Sequence, residues 1–361
     1  MRILFRFDSS EIIGQGHLYR CCELGNFFEK KGHNCFYLTN NFDFKLINYF
    51  SINKNNLFLI KNNFYFKNNN SKNHFFRWKN AMQIEDAKFA KHLIVKNNVN
   101  IVFRDHYGLD HIWDKKVSEN CRLVVIDDLK KKNYCDVYIN YHYKFFKKKD
   151  YNLLLKKDCL PLLGKKYFVS KNINFLKCNN KLINQIFIYM GAADKNNFTK
   201  HIFNCLNNKI LKNYKKVFLL NKKNKQHNKL YQKAKLMKGY KILFSPIKNI
   251  EKYYINSSLS ITAAGASMYK QILCKANSLI IPQTYNQRVI ANLLLKKKLF
   301  HILNKINTLN PKRILFAINN PLLNFKSDFL DCNGKSRILE NIKKINNSNF
   351  FVINKKIKKK K

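Results

Sequence analysis

No run of apolar residues in this 361-residue chain reaches the roughly 18 that a membrane-crossing helix requires. Met1-Arg2 leads straight into a short apolar run with no leader-like stretch, so neither a spanning helix nor a signal peptide is expected, and the cytoplasm is the expected compartment. Carboxylates are scarce, with 21 Asp and Glu against 69 Lys and Arg and a net charge of +48. Such an excess ordinarily suggests nucleic acid, but the lysines are spread along the whole chain among asparagines. Only residues 147–149 and the tail at 355–361 are dense, and neither adjoins a recognition motif, so a solvated basic surface is the reading and nucleic acid is an unexpected partner. None of the ten cysteines forms a C-x-x-C pair, which argues against zinc; Cys21 and Cys22 read as packing thiols.

What is present is organised around Ile3 to Arg20, ILFRFDSSEIIGQGHLYR. An apolar run broken only by Arg6 leads into a polar loop, then Gly14-Gln15-Gly16-His17, then a segment with apolar residues at helical spacing, which predicts strand, glycine loop and helix. Paired glycines let the backbone approach a ligand, and the helix start that follows offers unpaired N–H groups to an anion such as phosphate. A dinucleotide fingerprint would need a third glycine where Tyr19 stands and an acidic residue after the second strand, where the chain reads Leu38-Thr39-Asn40-Asn41. Both are missing, so NAD and FAD are excluded and no cofactor is expected. His17 falls in the first helical turn, where the dipole disfavours imidazolium and leaves a ring able to accept a proton; an ordinary helix-start histidine bonded to its own loop is the competing reading.

Further strands are predicted at 34–38, 99–103, 122–126 and 136–140, then at 185–190, 216–221, 241–244, 259–262 and 278–282, with helices at 88–96 and 334–345. Continuously apolar strands alternating with helices indicate parallel sheets covered on both faces. An Asn-rich stretch at 40–73 reads as a decorated insertion, and composition shifts across 144–181. The domains expected are 1–155, 156–346 and a basic tail at 347–361. Functional residues of such sheets gather at the carboxyl ends of strands, so Asp8, His17, Asp105 and Tyr107 are expected on one rim. A second small-residue corner, Ala263-Ala264-Gly265-Ala266-Ser267, leads into another helix. Asp127-Asp128 reads as a structural cap, and no metal site is expected.

Arg6, Asp8, Ser9, Ser10, Gly14, Gly16, His17 and Arg20 together resemble the N-terminal signature of the UDP-2,4-diacetamido-2,4,6-trideoxy-β-L-altropyranose hydrolases of pseudaminic acid biosynthesis. Asp105-His106-Tyr107-Gly108, Ile126-Asp127-Asp128, Gly164 with Tyr167, and Gly191-Ala192-Ala193-Asp194 are similar to later motifs of that family. The resemblance implies a GT-B-like α/β fold, two doubly wound Rossmann-like domains facing across a cleft. It also implies a UDP-sugar substrate, His17 as general base for water, and metal-independent hydrolysis. By the same resemblance the substrate contacts fall on Asp8, Gly14, Gly16, Arg20, Asp105, Tyr107 and Gly108 in the first domain. In the second they fall on Gly191, Ala192, Asp194, Gly265, Ala266, Ser267, Lys270 and Gln287.

One departure stands out. Where the family places a glutamate that accepts from the ribose hydroxyls, alignment through Lys275-Ala276-Asn277 puts Lys270, whose ammonium can only donate. A GT-B glycosyltransferase and a non-catalytic nucleotide-sugar-binding homologue are the alternatives to the hydrolase.

Overall fold

The structure, a computed structural model, describes residues 1–9, 15–40, 46–60, 78–129, 131–142, 148–170, 183–191, 194, 196–222, 224–265, 267–295, 298–322 and 330–348. It divides into two compact units, residues 1–171 with 332–361, and residues 172–331.

The first unit runs β1 (Arg2–Phe7), α1 (Gly16–Glu29), β2 (Asn34–Thr39), α2 (Leu46–Phe50), β3 (Leu57–Leu59), α3 (Asn80–Lys96), β4 (Ile101–Asp105), α4 (His111–Val117), β5 (Arg122–Ile126), β6 (Val137–Asn140), α5 (Lys148–Leu154) and β7 (Leu160–Leu163). Its strands form one sheet in the order β3-β2-β1-β4-β5-β6-β7, every pair parallel. The chain order reverses between β1 and β4, so their carboxyl ends flank the crevice where open α/β sheets bind ligands. Both faces are apolar. Ile3, Phe5 and Phe7 pack with Leu18, Phe28 and Phe103 on one side, and Leu4 with Val102, Val125 and Trp113 on the other. On the first side Phe5 stacks on Phe103 at 5.0 Å and on Tyr37 at 5.6 Å between ring centroids.

The second unit repeats the pattern with β8 (Ile183–Tyr189), α6 (Phe198–Leu206), β9 (Lys215–Leu220), α7 (Lys225–Ala234), β10 (Tyr240–Phe244), α8 (Glu251–Asn256), β11 (Ser257–Ala263), α9 (Ser267–Leu273), β12 (Ser278–Ile281), α10 (Tyr285–Leu295), β13 (His301–Ile302) and α11 (Pro311–Asn319). Its parallel sheet has the order β10-β9-β8-β11-β12-β13, reversing between β8 and β11. Gly191 and Gly265 therefore follow neighbouring strands at one edge of one sheet. Gly191 has φ +85°, a backbone state open to glycine, which the sharp exit from β8 requires.

Two domain boundaries differ from the sequence expectation. Residues 156–171 stay with the first unit because β7 adds to β6 in register, Val137 opposite Leu160 through Asn140 opposite Leu163. The last helix, α12 (Gly334–Ser348), also returns to the first unit. Its Ile338, Leu339 and Ile342 join the apolar cluster around Phe5 and Leu18, and Arg337 donates to the Lys166 carbonyl at 3.0 Å. Gly334 permits that approach, since a Cβ there would lie 2.1 Å from the Phe168 carbonyl oxygen. Part of the Asn-rich insertion is ordered as α2 and the edge strand β3; residues 61–77 lie outside the described residues, as do 349–361 of the basic tail.

Candidate active site

Side chains alternate between the two faces of a strand, and that parity decides which of the expected residues meet. Phe7 and Asp105 are in register across β1 and β4, so Asp105 faces the α1 side while Asp8, one residue further along, faces the α3 side. The single cluster expected of Asp8, His17, Asp105 and Tyr107 is therefore split in two.

On the α1 side, His17 Nδ1 lies 2.6 Å from Asp105 Oδ1. Arg20, one helical turn on, clamps the same carboxylate with Nε on Oδ2 at 2.6 Å and Nη2 on Oδ1 at 2.7 Å, and its Nη1 donates to the Tyr141 hydroxyl at 3.0 Å. Burial by itself would raise the Asp105 carboxyl, but the Arg20 guanidinium and His17 outweigh it and hold the group below the usual carboxylate range. An ionised carboxylate only accepts, so the short contact requires the proton on Nδ1. Arg20 Nη2 also lies 2.9 Å from Nδ1, but a nitrogen that carries a proton for Asp105 has no lone pair left to accept from it. With the proton on Nδ1, the lone pair of the imidazole lies on Nε2, for which no hydrogen-bond partner is found among the described residues. Tyr107 packs edge-on against the imidazole, centroids 4.5 Å apart. An ionised carboxylate beside an imidazole oriented through Nδ1 is an arrangement that can take up a proton at Nε2.

The α3 side is structural. Arg6, the one charged residue of the apolar run 3–7, is buried and bonds Asp86 through Nε and Nη2 at 3.0 and 2.6 Å and Asp8 through Nη1 at 2.6 Å. The rest of the Asp8 carboxylate accepts from Thr39 Oγ1, the Asn40 N–H and His106 Nε2 at 3.2, 2.7 and 2.7 Å. Both oxygens of Asp8, expected to contact substrate, are thus already engaged by the scaffold. Arg104, in register with Arg6 and equally buried, is neutralised by Asp114 at 2.6 and 3.0 Å. Gly108 is also accounted for by packing, since a Cβ there would lie 2.5 Å from the Trp78 ring.

His106 Nδ1 accepts from the Gly108 N–H at 3.0 Å, which leaves the proton on Nε2 for Asp8. Burial pushes this ring down to about 4, the Asp8 carboxylate only partly offsetting it, and burial beside Arg20 pushes His142 down to about 3. A ring that is neutral when folded but takes a proton once unfolded makes stability fall as pH drops below 6.5, the loss continuing until the native ring itself is protonated. Each ring should withdraw on the order of 3 kcal/mol over its window. The melting temperature measured from about pH 7 to about pH 4 should therefore decline steadily, with a shallower decline in His142→Asn. An unchanged melting temperature over that range would refute the assignment.

In the second unit, Asp194 caps α6, accepting from the Phe198 and Thr199 N–H groups at 2.9 and 3.0 Å and facing His227 Nε2 at 3.3 Å. The turn at Thr284 engages Gln287 in the same way. Its Oε1 accepts from the Gln283 N–H at 2.8 Å and its own N–H reaches Thr284 Oγ1 at 3.3 Å. Asp194 and Gln287, both expected to contact substrate, thus have their carboxylate and amide oxygens engaged at the helix starts of this rim. Gly16, Gly265 and Ser267 lie at helix starts on the two rims; no neighbour crowds Gly265. Lys270 Nζ lies 3.7 Å from Glu251 Oε1 of α8. Gly14, Ala192 and Ala266 lie outside the described residues.

Sequence reasoning missed the pairing role of Arg6 and the contribution of Tyr141. A lone arginine in an apolar strand was the available signal for the first; nothing local marks the second. Among the described residues, no group of three His, Cys, Asp or Glu is placed to hold a metal ion, and no helix is long and apolar enough to cross a membrane.

No family model matches the chain. It is 25% identical over 302 residues to the UDP-2,4-diacetamido-2,4,6-trideoxy-β-L-altropyranose hydrolase of Campylobacter jejuni subsp. jejuni, a similarity spanning 82% of this chain and 97% of that protein. The resemblance carried by the N-terminal signature thus extends along most of the sequence. Among solved structures, a UDP-N-acetylglucosamine 2-epimerase from Listeria monocytogenes superposes with a TM-score of 0.64 at 11% identity, covering 95% of each chain. The calicheamicin glycosyltransferase CalG4 superposes with a TM-score of 0.62 at 10% identity, covering 95% of this chain and 97% of that one. The fold is GT-B-like, as the sequence predicted.

Proposed function

We propose that the chain hydrolyses a UDP-linked diacetamido-trideoxy sugar to free sugar and UDP, a step of pseudaminic acid biosynthesis. The observation that carries this reading is the Asp105–His17 pair, with Nδ1 anchored at 2.6 Å and Nε2 left to take a proton. Water attacks the anomeric carbon as the bond to the diphosphate breaks; Nε2 receives the water proton, and the electron pair leaves with UDP. Asp105 stays ionised and steadies the imidazolium as it forms, while Arg20 holds Asp105. Nucleotide recognition is assigned to the second unit, where N–H groups at the turns after β8 and β11, near Gly191, Gly265 and Ser267, face the growing diphosphate charge. The reading invokes no metal. It is supported by the similarity to the C. jejuni hydrolase over nearly the whole length of that protein.

Incubation with a panel of UDP-diacetamido sugars followed by product NMR tests it. Free sugar and UDP formed with water alone are expected. Turnover that requires an added acceptor would favour a transferase, the reading to which the likeness to a glycosyltransferase fold points. No turnover on any nucleotide sugar would favour a binding protein.

Lys270 bears on nucleotide affinity. Its ammonium, held near Glu251, offers no acceptor to a ribose hydroxyl. Lys270→Glu, combined with Glu251→Gln to avoid placing two carboxylates together, is expected to tighten UDP binding about tenfold, the value of hydrogen bonds to a charged acceptor. Calorimetry showing unchanged or weaker binding would reject a ribose-facing role for this position.

A further inference from the structure

Three described cysteines give their S–H to the backbone: Cys35 to the Gly25 carbonyl at 3.6 Å, Cys121 to that of Val117 at 3.5 Å and Cys205 to that of Leu309 at 3.3 Å. Cys135 and Cys159 face each other instead, with their sulfurs 3.7 Å apart. Cys135 stands two residues before β6 and Cys159 one residue before β7, at the heads of two parallel neighbouring strands. Hydrogen bonds fix the backbone between them: the Leu160 N–H donates to the Asp136 carbonyl at 2.8 Å, and the Asp136 N–H to that of Leu123 at 2.9 Å. A disulfide holds its sulfurs about 2.05 Å apart, so about 1.7 Å remains to be closed, the scale of a side-chain rotation and not of a strand displacement. The two thiols differ in access. Cys135 is fully buried in the apolar layer with Trp113, Leu123 and Tyr138, and burial pushes its thiol up, so it stays protonated. Cys159 is half-buried between the exposed Asp158 and Leu160, within reach of a small polar oxidant.

We propose that Cys135 and Cys159 form a reversible oxidation site, in which a hydroperoxide oxidises Cys159 and Cys135 then closes a disulfide that locks β7 onto β6. The Cys159 thiolate attacks one peroxide oxygen. An S–O bond forms, the O–O bond breaks, and the second oxygen leaves as an alcohol or water, taking the proton that the thiol gave up. The Cys135 sulfur then attacks the Cys159 sulfur; the S–S bond forms, the S–O bond breaks, and the Cys135 proton departs with the hydroxide as water. Two thiols lose two electrons and the hydroperoxide gains them. The cross-link spans 24 positions of the chain, and it ties down an edge strand of four residues that pairs through β6 alone. It lies at the amino ends of the strands, the sheet edge opposite the rim of His17 and Asp105, so it touches none of the residues assigned to the base. The inference is independent of the hydrolase reading.

The test uses the full chain, reduced with dithiothreitol, freed of it, exposed to hydrogen peroxide, alkylated and digested with trypsin without further reduction. Residues 133–144 and 158–165 should be recovered as one species, lighter by two hydrogens than the two thiol peptides together. The melting temperature should rise by about 5–10 °C, because the cross-link restricts the unfolded chain, and should return to its starting value on addition of dithiothreitol. Cys159→Ser should abolish both the linked species and the rise, whereas Cys135→Ala should leave Cys159 as a sulfenic acid that dimedone traps. Peroxide treatment that leaves the two peptides unlinked would overturn the proposal. So would linked protein that melts with the reduced parent, or a rise that persists in Cys159→Ser. The linked species is read on the parent chain, so the outcome does not depend on either variant folding.

Discussion

Replacing His17 by alanine should lower turnover of the UDP-linked sugar by about 10²–10⁴-fold, the range that a positioned general base supplies. The variant should still fold, because Arg20 continues to pair Asp105 through two hydrogen bonds and the carboxylate is not stranded in the interior. A melting temperature within a few degrees of the parent is the expected control, since one kcal/mol moves Tm by about 2–4 °C in a domain of this size. Kinetics by product NMR or coupled UDP release provide the measurement. Should His17→Ala turn over as fast as the parent, the base assignment is refuted, and the Asp105–His17 contact becomes a structural hydrogen bond at the start of α1. The size of the loss also discriminates among readings. A residue that merely lines a binding surface would raise KM, whereas removal of the base should act on kcat.

The largest effect on stability should come from Arg6→Met. The guanidinium is fully buried between Asp8 and Asp86, and Asp86 also accepts from Trp113 Nε1 at 2.8 Å. Removing the cation strands two carboxylates in a dry layer beneath the sheet. Breaking one side of a buried ion pair costs about 3–5 kcal/mol, which is on the order of 10 °C in Tm for a unit of this length. The contrast is the exposed pair Lys88–Glu85 on α3, separated by 2.6 Å but solvated. Lys88→Ala there should cost no more than about 0.5 kcal/mol. Thermal melts of the two variants side by side would test this; comparable melting of Arg6→Met and the parent would mean that Asp8 and Asp86 find other partners. The result also separates two roles for Asp8. If Arg6→Met melts early while nucleotide binding by the folded fraction is unchanged, Asp8 belongs to the scaffold that the hydrogen bonds describe.

Much of the fold is written in local pattern. The apolar run from Ile3 to Phe7, the glycine at 16 and the helical spacing after it yield β1, loop and α1. The predicted stretch 122–126 matches β5, and 334–345 falls within α12. These elements are legible because strand burial and helix amphipathicity are properties of consecutive residues. The short edge strands β3, β7 and β13 were not read from sequence. Two to four residues carry too little periodicity, and each of these strands exists through pairing with a neighbour whose position the sequence does not state.

The candidate site divides along the same line. That His17, Asp105 and Tyr107 share a rim followed from the rule that such residues collect beyond strand ends, and the structure brings these three together, with Arg20, which only the family signature had marked, clamped on Asp105. Asp8 was placed with them because it too ends a strand, yet one residue of register turns its carboxylate to the opposite face. Asp194 and Gln287 carry polar side chains at helix starts, where capping and ligand binding require the same residue types, and only the hydrogen-bond geometry shows capping.

By itself the amino-acid sequence determined two parallel α/β units, a glycine corner leading into a helix, and a histidine in the first turn of that helix. Those features depend on near neighbours along the chain, where spacing is known. Tertiary structure decided which carboxylate orients the histidine, which arginine is sealed beneath the sheet, and to which unit the final helix belongs. These are contacts between residues some 80 to 310 positions apart, and they are set by strand register and side-chain parity, quantities that exist only once the sheet has formed.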